Sequence, residues 1–329
     1  MELFDSLRFK IVRRGVRIVF PESTDTRILG AAARLKVEQL MEPILIGNVE
    51  EVHAAINSRG LQPSMFEIID PVNYKHFAKM LDSFVTVRKG KITKEQARKL
   101  LLNDYNYFGT MLCFMDEADG MISGVIHSTG DTVRPALQII KTRPSVTRTS
   151  GAFLMVRGRD QEKYLFSDCA ININPSAQEL AEIAVESART AEVFNIDPKV
   201  SLLSFSTKGS AKSSEVEKVV EATKIAKSLA PEYIIDGELQ FDASYVESVA
   251  RLKAPGSSVA GKATVFVFPD LQSGNIGYKI AQRLGKFEAI GPILQGLNKP
   301  ISDLSRGANE EDVYKLAIIT AAQMLLGKE

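Results

Sequence analysis

Cysteine is nearly missing: Cys113 and Cys169 are the two such residues in a chain of 329. Two are too few for a disulfide framework, and neither stands in a C-x-x-C spacing, so a reducing, cytoplasmic setting is expected. Histidine is almost as scarce, and His53, His76 and His127 lie too far apart in sequence to read as a metal-ligand run, so no metal site is expected. Charge of one sign is lacking too. Lys and Arg number 41 against 40 Asp and Glu, a net +1 that leaves no electrostatic footprint for nucleic acid or an acidic membrane surface. Apolar runs such as "LAIITAAQMLL" at 316–326 fall well short of a bilayer span, which takes roughly 20 residues. The N-terminal "MELFDSLRFKIVRRG" lacks the apolar centre of a signal peptide. No G-x-G occurs, which removes the dinucleotide fingerprint, and no G-x-S-x-G, which removes the serine-hydrolase elbow.

What is present is an ordinary globular composition, 45% apolar, with length enough for two domains. Short β-type runs alternate with helical patterns. "RIVFPE" leads into "TDTRILGAAARLKVEQL", then "EPILIG", a polar helix from about Val49, "FEIID" and "YKHFAKMLDSFVTV". The rhythm resumes with "VSLLSFS", "SEVEKVVEATKIAKSLA", "EYIIDGEL", "ASYVESVARLKA", "ATVFVFPD" and "NIGYKIAQRLG". Such alternation implies an α/β protein with largely parallel sheets and covering helices. Segments 141–153 and 291–307, rich in Pro, Gly, Ser and Thr, read as domain crossings.

Four stretches carry candidate chemistry. "GSSVAGKAT" at 256–264 nearly matches a phosphate loop, but Ala263 replaces the needed hydroxyl and the stretch precedes a strand, so a surface loop is expected. "SFSTKGSAKSSEVEKV" at 204–219 reads more simply as a polar loop ending in a serine helix cap. His53 and His76 fit helix surfaces. His127 sits in "SGVIHSTGDTVRP", where Ser128, Thr129 and Arg134 suit either an anion site or a capped helix with a solvated arginine. In "DLSRGANEEDV" at 303–313, Asn309 is a good cap and Glu310, Glu311 and Asp312 suit a helix dipole. Capping leaves Ser305 and Arg306 unexplained, and those two suit a phosphate.

"IVFPE" with Arg27 downstream, "HSTGDTVRPAL", "SFSTKGSA", "SGNIGYKIAQR" and "GLNKPISDLSRG" stand together in an order and spacing that resemble the phosphate acetyltransferases, along essentially the whole chain. The resemblance implies two α/β domains with an interdomain cleft, similar to isocitrate and isopropylmalate dehydrogenases. It implies a discontinuous first domain, residues 1–145 with 298–329, and a second at 146–297. It implies reversible acetyl transfer between coenzyme A and phosphate, with CoA as a substrate, no permanently bound cofactor, and a homodimer formed through the second domain. Carried over by motif, Ser305, Arg306 and Asp312 are expected at the reaction centre. Ser128, Thr129, Arg134 and Arg88 are expected around phosphate, and Arg283 and Arg27 near CoA.

The thiol of CoA needs a base at neutral pH, a role that suits Asp312. A route through an acetylated Cys113 or Cys169 is the mechanistic rival, although Cys169, in the apparent strand "LFSDCAINI", fits a buried and inert thiol better. The functional alternatives are a phosphate butyryltransferase, a non-catalytic ligand-binding domain, and a metal-dependent decarboxylating dehydrogenase of the same fold.

Overall fold

The computed structural model describes residues 3–144, 146–158 and 162–326. They form two compact units. One comprises Leu3–Lys141 and the segment from Leu297 onward; the other is Thr142–Gly296. Eleven strands follow in chain order: β1 (Arg17–Phe20), β2 (Glu42–Ile46), β3 (Glu67–Ile69), β4 (Gly120–Ser123), β5 (Ser150–Arg157), β6 (Glu162–Ser167), β7 (Lys199–Leu203), β8 (Ile234–Leu239), β9 (Val265–Val267), β10 (Glu288–Gln295) and β11 (Ile301–Asp303).

The first unit holds a five-stranded sheet in the order β11-β4-β1-β2-β3, all parallel. Ile18, Val19, Phe20, Ile44, Leu45, Met121 and Ile122 are buried, the near-continuous apolar runs that a sheet covered on both faces requires. Helix Thr26–Val37 starts where the Asp25 carboxylate accepts the Arg27 N–H, and it buries Ile28, Leu29, Ala32 and Leu35. Helix Glu310–Leu326 packs on it and on helix Leu3–Ile11. Its Val313, Leu316, Ala317, Ile318, Ile319, Ala321 and Ala322 are all buried, which explains its apolar sequence as a core helix. The order of strands places a switch point between β1 and β4: from β1 the chain builds outward through β2 and β3, whereas β4 and β11 lie on the other side. Loops at the carboxyl ends of such a pair are where α/β sheets receive ligands.

The second unit holds a six-stranded sheet in the order β10-β5-β6-β9-β7-β8. β6, β9, β7 and β8 run parallel, while β10-β5 and β5-β6 are antiparallel pairs. The alternation pattern did not anticipate the β5-β6 pair, because β5 begins inside the stretch read as a crossing.

Two local expectations are corrected. Cys169 is not in a strand. β6 ends at Ser167, and the buried Asp168 carboxylate then accepts the N–H groups of Gly151, Ala170, Ile171 and Asn172, which turns the chain off the sheet. The 256–264 stretch is a loop but not wholly a surface one, since Val259, Ala260 and Ala263 join the core around Phe166 and Phe266.

Polar order in this core centres on Gln295. Its Oε1 accepts from Ser150 Oγ at 2.9 Å, Ser167 Oγ at 3.0 Å and Ser187 Oγ at 3.4 Å, and its Nε2 donates to Thr190 Oγ1 at 2.7 Å. One amide thereby satisfies hydroxyls from β5, β6 and helix Ala177–Val193. Ser187 and Thr190 also donate to the Ile183 and Glu186 carbonyls, so Gln295→Leu strands the Ser150 and Ser167 hydroxyls, and urea unfolding should show a loss of about 3 kcal/mol. An unchanged midpoint would contradict this role.

Candidate active site

The switch-point loops are organised by Glu22, two residues past β1 and 3% exposed. Gly124 and Val125 donate their N–H groups to its Oε2 at 3.0 and 2.9 Å, and Ile126 and His127 donate theirs to Oε1, each at 2.9 Å. His127 Nδ1 lies 2.7 Å from Oε1 as well. Burial opposes charge on Glu22, but the His127 ring and the N–H groups outweigh it and hold the carboxyl below its ordinary pKa. The same contact raises His127. Gly124 is required here. Its φ is +118°, and a Cβ would come within 2.5 Å of Leu304 O and 2.7 Å of Asp303 Oδ1, so only glycine lets this loop pass the one after β11.

Arg27 joins the three loops. Its Nε and Nη2 donate to Asp25 at 3.0 and 2.8 Å, Nη2 also reaches Val125 O at 3.0 Å, and Nη1 donates to Arg306 O at 3.1 Å and Ala308 O at 2.9 Å. A guanidinium has five N–H donors, and these five bonds use them. Its donors thus brace the loops after β1, β4 and β11.

Ser128 opens helix Thr129–Pro135. Its Oγ donates to Asp131 Oδ2 at 2.7 Å, and Arg134 Nη1 stands 3.8 Å from the other oxygen of Asp131. Ser128 is thus engaged in the helix cap, and it and Arg134 both flank Gly130, where a Cβ would lie 3.7 Å from each. Arg88 ends helix Phe77–Val87. It and Arg134 both bias the Tyr107 phenol electrostatically, which places the two guanidiniums in one neighbourhood. The Arg88 Nε is buried with no hydrogen-bond partner among the described residues.

Beyond β11, Ser305, Arg306 and Gly307 form an exposed turn in which Ser305 Oγ accepts the Gly307 N–H at 3.3 Å. Asp312 and Asn309 cap helix Glu310–Leu326 reciprocally: Asp312 Oδ2 accepts the Asn309 N–H at 2.9 Å, and Asn309 Oδ1 accepts the Asp312 N–H at 3.0 Å. The neighbouring acids turn elsewhere, Glu310 to Arg59 at 2.9 Å and Glu311 to Arg34 at 2.6 Å. Ser305, Arg306, Asp312, Ser128, Thr129, Arg134, Arg88 and Arg27 all lie in the first unit, whereas Arg283 ends helix Leu271–Arg283 in the second.

The sequence reading passed over Glu22, Asp25 and Asp303. Asp303 is 1% exposed at the end of β11. Burial pushes its carboxyl up to about 6, the charge of Glu22 adds to this, and the Thr129 and Thr132 hydroxyls oppose it. An acid at the carboxyl end of a parallel strand was the only available signal. His76 differs slightly from its expected place on a helix face: it precedes helix Phe77–Val87 and its Nδ1 meets Glu117 at 3.1 Å. Both cysteines are free and buried, and burial drives each thiol pKa upward. Among the described residues, no group of His, Cys, Asp or Glu is arranged to hold a metal ion, and no helix is long and apolar enough to cross a membrane.

A family model described as phosphate acetyl/butaryl transferase matches residues 3–321, so the chain belongs to that family of acyltransferases. Within the family it is 59% identical over 324 residues to the phosphate acetyltransferase of Bacillus subtilis (strain 168), covering 98% of this chain and 99% of that one. A phosphotransacetylase crystal structure from Streptococcus pyogenes is 62% identical and superposes with a TM-score of 0.96 over 98% of each chain. A branched-chain phosphotransacylase from Enterococcus faecalis V583, 16% identical with a TM-score of 0.67, covers 94% of this chain and 99% of its own and shares the fold alone.

The Glu22–His127 pair supplies a pH-dependent test. Because Glu22 raises His127, the imidazole's share of the stabilisation is complete below the ordinary histidine pKa and is lost as pH climbs through the raised one. In Glu22→Gln the His127 resonance should titrate lower, toward the ordinary value, and thermal stability should fall by about 3 kcal/mol as amide hydrogens meet backbone N–H donors. A His127 titration that stays in place would contradict the pairing.

Proposed function

We infer that the protein is a phosphate acetyltransferase, which moves an acetyl group reversibly between coenzyme A and inorganic phosphate. The observation that carries this reading is the bracing of two candidate anion-binding loops, 124–134 and 304–308, through Glu22 and Arg27 at the carboxyl edge of one parallel sheet. Ser128, Arg134 and Arg88, with the backbone N–H of Thr129, hold the phosphate end of acetyl phosphate. Arg306 and Ser305 stabilise charge on the carbonyl and departing phosphate oxygens. Asp312, its carboxylate oriented by the Asn309 N–H, takes the proton from the CoA thiol. The thiolate attacks the carbonyl carbon, the C–S bond forms, and the C–O bond to phosphate breaks with its electron pair leaving on phosphate. Arg283 is assigned to CoA on the family resemblance. The deep burial of Cys113 and Cys169 favours direct attack over an acetylated cysteine.

CoA serves as a substrate, and no permanently bound cofactor enters the scheme. A cytoplasmic setting accords with the two free thiols. A homodimer formed through the second unit is supported by the exposed Ile276, Ile280 and Leu284, spaced to share one face of helix Leu271–Arg283 and its end. Butyryl transfer is the competing acyl preference, since the family description covers both groups.

The test is release of free CoA from acetyl-CoA, dependent on phosphate, with butyryl-CoA in parallel and neither metal nor nicotinamide added. Fast release from acetyl-CoA alone is expected; faster release from butyryl-CoA would reassign the acyl group, and no release from either would sink the reading. In the same assay Asp312→Asn should lower kcat by at least about 100-fold with KM changed less than about threefold. An unaltered kcat would remove Asp312 as the base.

A further inference from the structure

Asp303 is a buried acid that the reaction scheme leaves without a task. It ends β11, its Oδ1 contacts the space that Gly124 leaves open, and it is 1% exposed. The Thr129 and Thr132 hydroxyls, from the first turn of the helix that carries Arg134, lie beside it. Yet Asp303 Oδ1, Thr132 Oγ1 and the neighbouring Ser123 Oγ are buried with no hydrogen-bond partner among the described residues. Buried polar atoms are nearly always paired, so a cluster of three left open marks a junction with more than one hydrogen-bonding arrangement.

We propose that Asp303 is a positioning residue for phosphate: its carboxylate accepts the Thr129 and Thr132 hydroxyls, pins helix Thr129–Pro135 to the end of β11, and holds Ser128 and Arg134 alongside the Ser305–Arg306 turn. The inference rests on the phosphate-binding reading of that site. An ionised Asp303 draws both hydroxyls inward. A protonated one must itself donate, competes for the same acceptors, and releases the first turn. Because burial raises the Asp303 pKa to about 6, this change falls within the working range of pH.

The other charged groups on the surrounding elements are already engaged or lie at the surface. Glu22 is ionised and held by His127, Asp131 is tied to Ser128, and Arg134 and Arg306 are exposed cations. Arg27 is bound to Asp25, while Glu310 and Glu311 are ion-paired and Asp312 is in its cap. None of these is both buried and raised as Asp303 is.

Asp303→Asn is a fair probe, because a raised carboxyl costs the folded chain stability as pH climbs from the ordinary carboxylate value through about 6, and asparagine carries no such cost. The experiment measures the Kd of inorganic phosphate by calorimetry from pH 5 to 8 on the full chain, with steady-state KM and kcat alongside. In the parent protein, phosphate affinity should fall about tenfold as pH drops below about 6, over and above phosphate's own ionisation, which is common to both proteins. At pH 7.5 D303N should show a KM for phosphate about tenfold higher, with kcat and the KM for CoA within about threefold, and no extra fall in affinity at low pH. Parallel affinity curves for the two proteins would overturn the proposal, as would absence of phosphate binding by the parent. If D303N does not fold, Thr129→Ser should keep the acid limb and Thr129→Val should lose it, and identical limbs would overturn the proposal equally. Phosphate binding without acetyl transfer would refute the transferase reading while leaving the affinity curves to decide this one.

Discussion

A single buried carboxylate sets the shape of the candidate site. Glu22 faces four consecutive backbone N–H groups and a histidine ring, and its two oxygens accept from all of them. The four donors come from the loop after β4, so the carboxylate fixes the path of the residues that lead into Ser128, Thr129 and Arg134. Removing a carboxylate from water is costly unless its charge is met by good hydrogen bonds, and here five are supplied.

Arg27 is the cationic counterpart. It spends its five donors on Asp25 and on three backbone carbonyls, two of them in the turn that follows β11. Together the two charges bind the loops after β1, β4 and β11 into one piece, with the exposed groups Ser128, Arg134, Ser305 and Arg306 set on it. Such bracing is what preorganised charge stabilisation requires, because groups that already point at the reacting atoms need not reorganise when charge develops. Asp303 lies beneath the same loops with its charge unfavoured, so the two carboxyls are driven apart in pKa, Glu22 lowered by its hydrogen bonds and Asp303 raised by burial.

Much of this was legible in the sequence. The alternation of Val- and Ile-rich runs with helical periods gave the α/β class, because parallel strands and amphipathic helices leave different periods in the chain. The "DLSRGANEEDV" stretch correctly suggested a capped acidic helix start, and the structure shows Asp312 inside that cap while Glu310 and Glu311 pair with arginines. Other features could not be read. The bracing by Arg27 was hidden because sequence does not reveal which loops its donors reach. Glu22 and Asp303 were invisible because their meaning depends on which loops a parallel sheet brings to its carboxyl edge, a long-range pairing over more than 100 residues in the case of Glu22 and Val125. The end of β6 was misplaced because Asp168 acquires its N–H donors only once the chain has turned.

The central claim is that phosphate is received by the braced loops after β4 and β11. A crystal structure of the protein with inorganic phosphate bound tests it most directly. The account predicts phosphate oxygens within hydrogen-bonding distance of Arg134 and Ser128 on one side and Ser305 or Arg306 on the other, with Arg27 unmoved and still bound to the carbonyls of Arg306 and Ala308. Phosphate seated elsewhere, or Arg27 released from those carbonyls to grip it, would contradict the account.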